Sequence, residues 1–297
     1  MTGGIERVAV LGAGTMGHGI AQVTAMGGFE TVLYDTVEGA AEVGLERIAA
    51  NLQGGIERGK LSPDDRVETL ARLSIASELR GAVQGADLVI EAVPERFELK
   101  AALLGEVEGL VSTGCILASN TSGLSITSLQ DGLERGERLV GLHFFNPVHI
   151  IPLVEIVRGM ATGGGVVETA LSFVRAIGKE PIVVRDSPGF ASSRLGLALG
   201  LEAMRMVEEG VASPEAIDTA MELGYRHPMG PLRLTDLIGL DIRLDIASHL
   251  YERLGSEVFR PPKILKRLVA EGKLGKKSGE GFYEWERERM TAGGGEG

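Results

Sequence analysis

The run Val8-Ala9-Val10-Leu11-Gly12-Ala13-Gly14-Thr15-Met16-Gly17 holds three glycines at the Gly-x-Gly-x-x-Gly spacing. Each has its own task at a phosphate site. Gly12 permits a tight turn out of a strand, Gly14 lets the backbone approach a pyrophosphate, and Gly17 lets a helix pack close to the sheet. A helix opening there turns its free N–H groups and positive dipole end toward the phosphates. The residues assigned to the cofactor in this loop are Gly12, Gly14, Thr15, Met16 and Gly17. The chain has 43 glycines, so the spacing alone is weak evidence and a plain tight turn explains it as well. A second apolar run that ends at Asp35 strengthens the case. A carboxylate there accepts hydrogen bonds from both hydroxyls of an adenosine ribose and repels a 2′-phosphate. Thr36, not an arginine, follows it, so the pattern favours NAD over NADP.

A second group of residues suits proton transfer. His143 lies in Gly141-Leu142-His143-Phe144-Phe145-Asn146-Pro147, and Glu155 lies in Leu153-Val154-Glu155-Ile156. An acid inside an apolar run is costly to bury unless it is paired. A histidine is its natural partner, because a carboxylate fixes the imidazole tautomer and raises its basicity. Such a base takes a proton from an alcohol as hydride leaves carbon. A buried pair that only serves the fold fits the spacing equally. The segment Ala118-Ser119-Asn120-Thr121-Ser122 adds hydroxyl and amide donors directly after another strand, and its plainer reading is a cap for a helix near Ser125.

These residues need elements to hold them. Strand-like runs are Ile5–Leu11, Thr31–Tyr34, Asp87–Ala92, Cys115–Ala118, Leu139–Phe144, Leu153–Val157 and Ile182–Val184. Helix-like stretches lie between most of them, which predicts a mostly parallel sheet covered on both faces. His143 then ends a strand, where open α/β sheets bind ligands. Ser62-Pro63-Asp64-Asp65 and Ser213-Pro214-Glu215 read as helix starts, and so does Ser187-Pro188. After Asp186 the pattern is helical, with stops at Gly210 and Gly224. The expected division is a Rossmann-type α/β domain over 1–186, a smaller all-helical domain over 187–290, and a glycine-rich tail over 291–297 read as disordered.

Composition narrows the function classes. The 297 residues are 44% hydrophobic and 24% charged, the balance of a globular chain. A net charge of −11 argues against nucleic-acid binding, which needs a basic face. No apolar run is long enough to span a bilayer and no secretory leader is evident, so no membrane role is expected. Five scattered histidines and one cysteine, Cys115, give no zinc spacing and no intrachain disulfide. The expectation is a metal-free, cytoplasmic protein.

The motifs together resemble the 3-hydroxyacyl-CoA dehydrogenase family, from Arg7 to about Trp285. They are Gly-Ala-Gly-Thr-Met-Gly at 12–17, Glu91-Ala92-Val93-Pro94-Glu95, Ser119-Asn120-Thr121-Ser122 and His143-Phe144-Phe145-Asn146-Pro147. Then come Asp186-Ser187-Pro188-Gly189-Phe190, Pro228-Met229-Gly230-Pro231 and Gly279-Glu280-Gly281-Phe282-Tyr283. The resemblance implies NAD-dependent oxidation of a (3S)-3-hydroxyacyl-CoA to the 3-ketoacyl-CoA, with a short-chain substrate such as 3-hydroxybutyryl-CoA. It implies His143 as general base, Glu155 as its orienting acid, and Ser122 and Asn146 on the substrate. It places Glu95, Lys100 and Asn120 with the cofactor, and it makes the helical domain a substrate-binding and dimerisation domain. Many family members carry asparagine three residues beyond the phenylalanine of Asp-Ser-Pro-Gly-Phe. Here that position is Ser193, a shorter side chain without the amide's paired donor and acceptor. Relatives that oxidise a sugar acid on the same fold, or a non-catalytic NAD binder, are the competing expectations. Arg58 and Lys60 are candidates for the CoA phosphates, with an equally good reading as a solvated turn.

Overall fold

The computed structural model describes residues 4–285. The expected 291–297 tail lies outside them. The chain divides after Phe190 into two compact units.

The first unit is built on eight strands: β1 (Arg7–Leu11), β2 (Glu30–Tyr34), β3 (Leu73–Ile75), β4 (Leu88–Glu91), β5 (Ile116–Ser119), β6 (Leu139–Phe144), β7 (Leu153–Arg158) and β8 (Glu180–Arg185). Their order across the sheet is β3-β2-β1-β4-β5-β6-β7-β8. All neighbours are parallel except β6 and β7. Among the described residues seven α-helices accompany them: α1 (Gly17–Met26), α2 (Ala40–Glu57), α3 (Pro63–Ala71), α4 (Leu79–Val83), α5 (Phe97–Glu108), α6 (Ile126–Gln130) and α7 (Gly164–Ala176). The central strands are buried on both faces because their side chains alternate, whereas the edge strands β3 and β8 stay partly exposed. Val8, Val10, Leu88 and Ile90 enter one core, while Ala9, Leu11, Val89 and Leu117 enter the other. That is why these segments read as continuous apolar runs.

The strand order reverses between β1 and β4, the switch point at which such sheets open a crevice beyond their carboxyl ends. β3 escaped the sequence reading. It has three residues, is only partly buried and pairs with one neighbour, so its pattern is too short to read.

The second unit is helical: α8 (Ser192–Glu208), α9 (Pro214–Thr219), α10 (Pro231–Ile238), α11 (Leu240–Leu254) and α12 (Lys263–Ala270), around a core that includes Leu197, Leu201, Met204, Leu232 and Leu265. Ser213 caps α9 through its side chain as read, accepting from Ala216 N–H at 3.3 Å. Ser187 does not start a helix. Gly189 and Phe190 take positive φ (76° and 47°), the Phe190 N–H closes a turn onto the Ser187 carbonyl at 2.9 Å, and α8 begins at Ser192. A left-handed residue cannot continue an α-helix, so the Ser-Pro start signal is used here by a turn. Within this unit Asp236 is fully buried and accepts from Phe282 N–H, Tyr283 N–H and Trp285 Nε1 at 2.9–3.0 Å, tying the Gly-Glu-Gly-Phe-Tyr segment to α10. Among the described residues, no helix is long and apolar enough to cross a membrane.

Candidate active site

The glycine loop leaves β1 at the switch point and enters α1. Gly12 has φ +101°, and a Cβ there would stand 2.7 Å from the Ala92 carbonyl oxygen. A Cβ at Gly17 would collide with the carbonyl of Gly12, so this glycine closes the turn as well as admitting the helix. At Gly14 a Cβ would meet nothing within 4 Å, and Gly14 lines a cavity of about 810 Å³. The backbone is therefore bare where a pyrophosphate must approach. α1 has no side-chain cap and no acid in its first turn, which leaves its positive end for an anion. His18 Nδ1 lies 2.7 Å from the Gly14 carbonyl and steadies the loop from the helix side.

Asp35 follows β2 and also lines the cavity. Its Oδ2 accepts from Ala13 N–H at 2.7 Å and its Oδ1 from Val37 N–H at 2.9 Å. Each oxygen keeps a further lone pair for a ligand hydroxyl. Glycine loop, helix end and carboxylate are the parts a dinucleotide needs, and they fit NAD.

The cavity runs from this loop to His143. His143 and Glu155 are directly opposite one another in the antiparallel β6–β7 pair. The cross-strand register, not a loop, brings them together, with His143 Nδ1 2.8 Å from Glu155 Oε2. Both are buried, Glu155 completely. A carboxylate only accepts, so the proton of a neutral imidazole resides on Nδ1 and Nε2 presents the lone pair. The Phe145 and Phe190 rings stand 4.3 and 5.8 Å from the imidazole and confine it. The β6–β7 connection that carries Asn146 is held by Lys179, whose Nζ donates to the carbonyls of Val148 and Ile151. Burial pulls the Lys179 ammonium below its ordinary value.

Asn120, after β5, lines the cavity and accepts from Phe144 N–H through Oδ1 at 2.9 Å, which keeps its amide NH2 and a second Oδ1 lone pair for other partners. Ser122 and Asn146 are exposed at the same cavity. Glu95 lines it too, with Oε1 accepting from Thr121 Oγ1 at 2.6 Å, Ser122 N–H at 2.8 Å and Ser122 Oγ at 3.2 Å. Burial pulls the Glu95 carboxyl upward, but these hydrogen bonds and the Lys100 charge outweigh it and hold it below the ordinary value.

Lys100, which the resemblance places with the cofactor, is buried on its helix, with its ammonium against Glu95, a residue that lines the cavity. Its Nζ is 2.5 Å from Glu91 Oε1, 3.3 Å from Glu95 Oε2 and 3.1 Å from the Val93 carbonyl. Glu91 was not singled out in the sequence, yet it is completely buried at the end of β4. It accepts from Lys100, from Val93 N–H and from Ser119 Oγ. Burial raises its carboxyl above the ordinary value, against the Lys100 charge and these hydrogen bonds. Its signal was available: an acid in an apolar run, the same signal that marked Glu155. Ser193 lies in the first turn of α8, in the helical unit, and is half-buried there.

Comparison with known proteins gives two family matches. The description "3-hydroxyacyl-CoA dehydrogenase, NAD binding domain" matches residues 7–187, and "3-hydroxyacyl-CoA dehydrogenase, C-terminal domain" matches residues 189–285. The chain is 43% identical to a probable 3-hydroxybutyryl-CoA dehydrogenase of Bacillus subtilis, over 95% of this chain and 98% of that one. It is 40% identical to a 3-hydroxybutyryl-CoA dehydrogenase of Bradyrhizobium diazoefficiens, over 95% and 96%. The crystal structure of an (S)-3-hydroxybutyryl-CoA dehydrogenase from Ralstonia eutropha superposes with a TM-score of 0.92 at 39% identity, covering 95% of this chain and all of that one.

Proposed function

The chain belongs to the 3-hydroxyacyl-CoA dehydrogenase family of NAD-dependent enzymes, and from that premise we propose a short-chain (3S)-3-hydroxyacyl-CoA as its substrate and His143 as its general base. The single observation that carries the base is the buried His143–Glu155 pair at the wall of the cavity that also holds the glycine loop. NAD, when bound, supplies the hydride acceptor. His143 takes the proton of the 3-hydroxyl through Nε2 and returns it in the reductive direction. Glu155 orients the ring and balances the imidazolium as it forms. Isolating a carboxylate at that depth costs several kcal/mol, which the pairing offsets.

Ser122 and Asn146 hold the substrate in this reading, and Asn120 and Glu95 the cofactor. Lys100 acts behind Glu95, as a positioning residue. Ser193 joins the substrate residues on the strength of the resemblance. The reading includes a homodimer, supported by the exposed apolar side chains of Leu234, Leu237, Ile238 and Ile242 on α10 and α11. It includes a cytoplasmic location, supported by the single free, buried Cys115.

A short-chain substrate is supported by the relatives named above. The test is a series of 3-ketoacyl-CoA thioesters of increasing length, reduced with NADH. The proposal expects the highest kcat/KM at four carbons. A maximum at eight or more carbons would overturn the short-chain assignment and leave the reaction intact.

A further inference from the structure

The His143 end of the cavity carries a charge that proton transfer does not use. Glu91, Glu95 and Lys100 form one cluster in which two carboxylates share a single ammonium. The partners of Glu91 are Lys100, the Val93 N–H and the Ser119 hydroxyl, all donors, so Glu91 is held as a carboxylate and takes up the Lys100 charge inside the wall. The remaining negative charge belongs to Glu95. Its side chain is 41% exposed and lines the cavity, and four donor contacts, from Thr121, Ser122 (two) and Lys100, favour its ionised form. Among the described residues that line the cavity there is no lysine or arginine. The one other carboxylate is Asp35, which follows β2, two strands away from β4.

NAD+ and NADH carry the same phosphates, riboses and adenine. They differ in the nicotinamide ring, cationic when oxidised and neutral when reduced. Asp35 and the glycine loop fix the adenosine and pyrophosphate, so the nicotinamide belongs at the other end, with His143 and Glu95, because hydride and proton leave the same carbinol. An anion in a partly desolvated wall attracts the cationic ring and is nearly indifferent to the neutral one.

We propose that the Glu95 carboxylate sets the redox-state preference of the cofactor site, favouring NAD+ over NADH relative to a neutral side chain at that position. This rests on the active-site reading above. The carboxylate also bonds Ser122, so the charge that biases the cofactor is fixed to a residue assigned to the substrate.

The experiment is equilibrium titration of NAD+ and of NADH, without substrate, into the wild type, Glu95→Gln and Glu95→Asp. Glu95→Gln is expected to raise Kd(NAD+)/Kd(NADH) roughly threefold or more, as removal of a nearby countercharge should. Glu95→Asp keeps the charge and should keep the wild-type ratio. Equal weakening of both cofactors by Glu95→Gln, or identical behaviour of the two variants, would reduce Glu95 to a neutral contact and overturn the proposal. A variant-free check covers failure of Glu95→Gln to fold: in the wild type the ratio should rise between low salt and about 1 M salt, where the attraction is screened. A flat ratio counts against the proposal. A wild type that binds neither cofactor would instead remove the site reading itself.

Discussion

At the residue scale, His143 and Glu155 do separable work. Nδ1 is committed to Glu155, which leaves Nε2 for chemistry. Replacing His143 with glutamine keeps a hydrogen-bonding side chain and removes the base. The expected result is a fall of ~10²–10⁴ in kcat with NADH binding unchanged, read from turnover at 340 nm beside a fluorescence titration. Near-normal turnover would exclude His143 as base. The pair was legible in the sequence because a glutamate among Leu153, Val154 and Ile156 needs a partner. Glu91 gave the same sign among Leu88, Val89 and Ile90 and went unread, because its partner Lys100 sits on the next helix with an ordinary surface pattern around it. Spacing along a helix does not tell which lysine turns inward when the neighbouring strand ends in a buried acid.

At the scale of elements, the site depends on strand ends and on what lies behind them. β4 and α5 are joined by the Glu91–Lys100 pair, buried at both ends. Lys100→Met would leave Glu91 without its countercharge and is expected to cost ~3–5 kcal/mol of stability, measured by urea denaturation at pH 8. The sign of its pH dependence follows from linkage. Burial already raises Glu91, and losing Lys100 raises it further, so the folded variant binds a proton that the unfolded chain releases. The penalty should therefore be full above the raised folded value. It should shrink as pH falls toward the ordinary carboxylate range. A penalty independent of pH between 8 and 5 would mean that Glu91 is not its source. The elements themselves were largely legible, since apolar strands alternate with capped helices. The antiparallel turn of β7 was not, because a buried strand has the same apolar pattern in either direction. Yet that reversal places Glu155 across from His143. Ser187-Pro188 does not mark the start of α8, because Ser-Pro serves turns as well as helices and the positive φ of Gly189 and Phe190 makes this one a turn.

At the scale of the whole molecule, the α/β unit holds the glycine loop, Asp35, Glu95, Asn120, Ser122, His143, Asn146 and Glu155, while Ser193 belongs to the helical unit. The apolar side chains exposed on α10 and α11 lead to the expectation of a dimer by light scattering after size exclusion, and of a shift toward monomer in Leu237→Glu. A wild-type monomer at micromolar concentration would contradict it. Fold, family and cofactor were legible from seven motifs in order. Acyl-chain length was not, because it depends on how side chains outside those motifs close around the acyl group. The most direct test of the central claim is NADH oxidation at 340 nm with acetoacetyl-CoA, run beside NADPH and beside free acetoacetate. Fast turnover with NADH and the thioester alone is the predicted result. No turnover of any 3-ketoacyl-CoA by a protein that still binds NADH would contradict it.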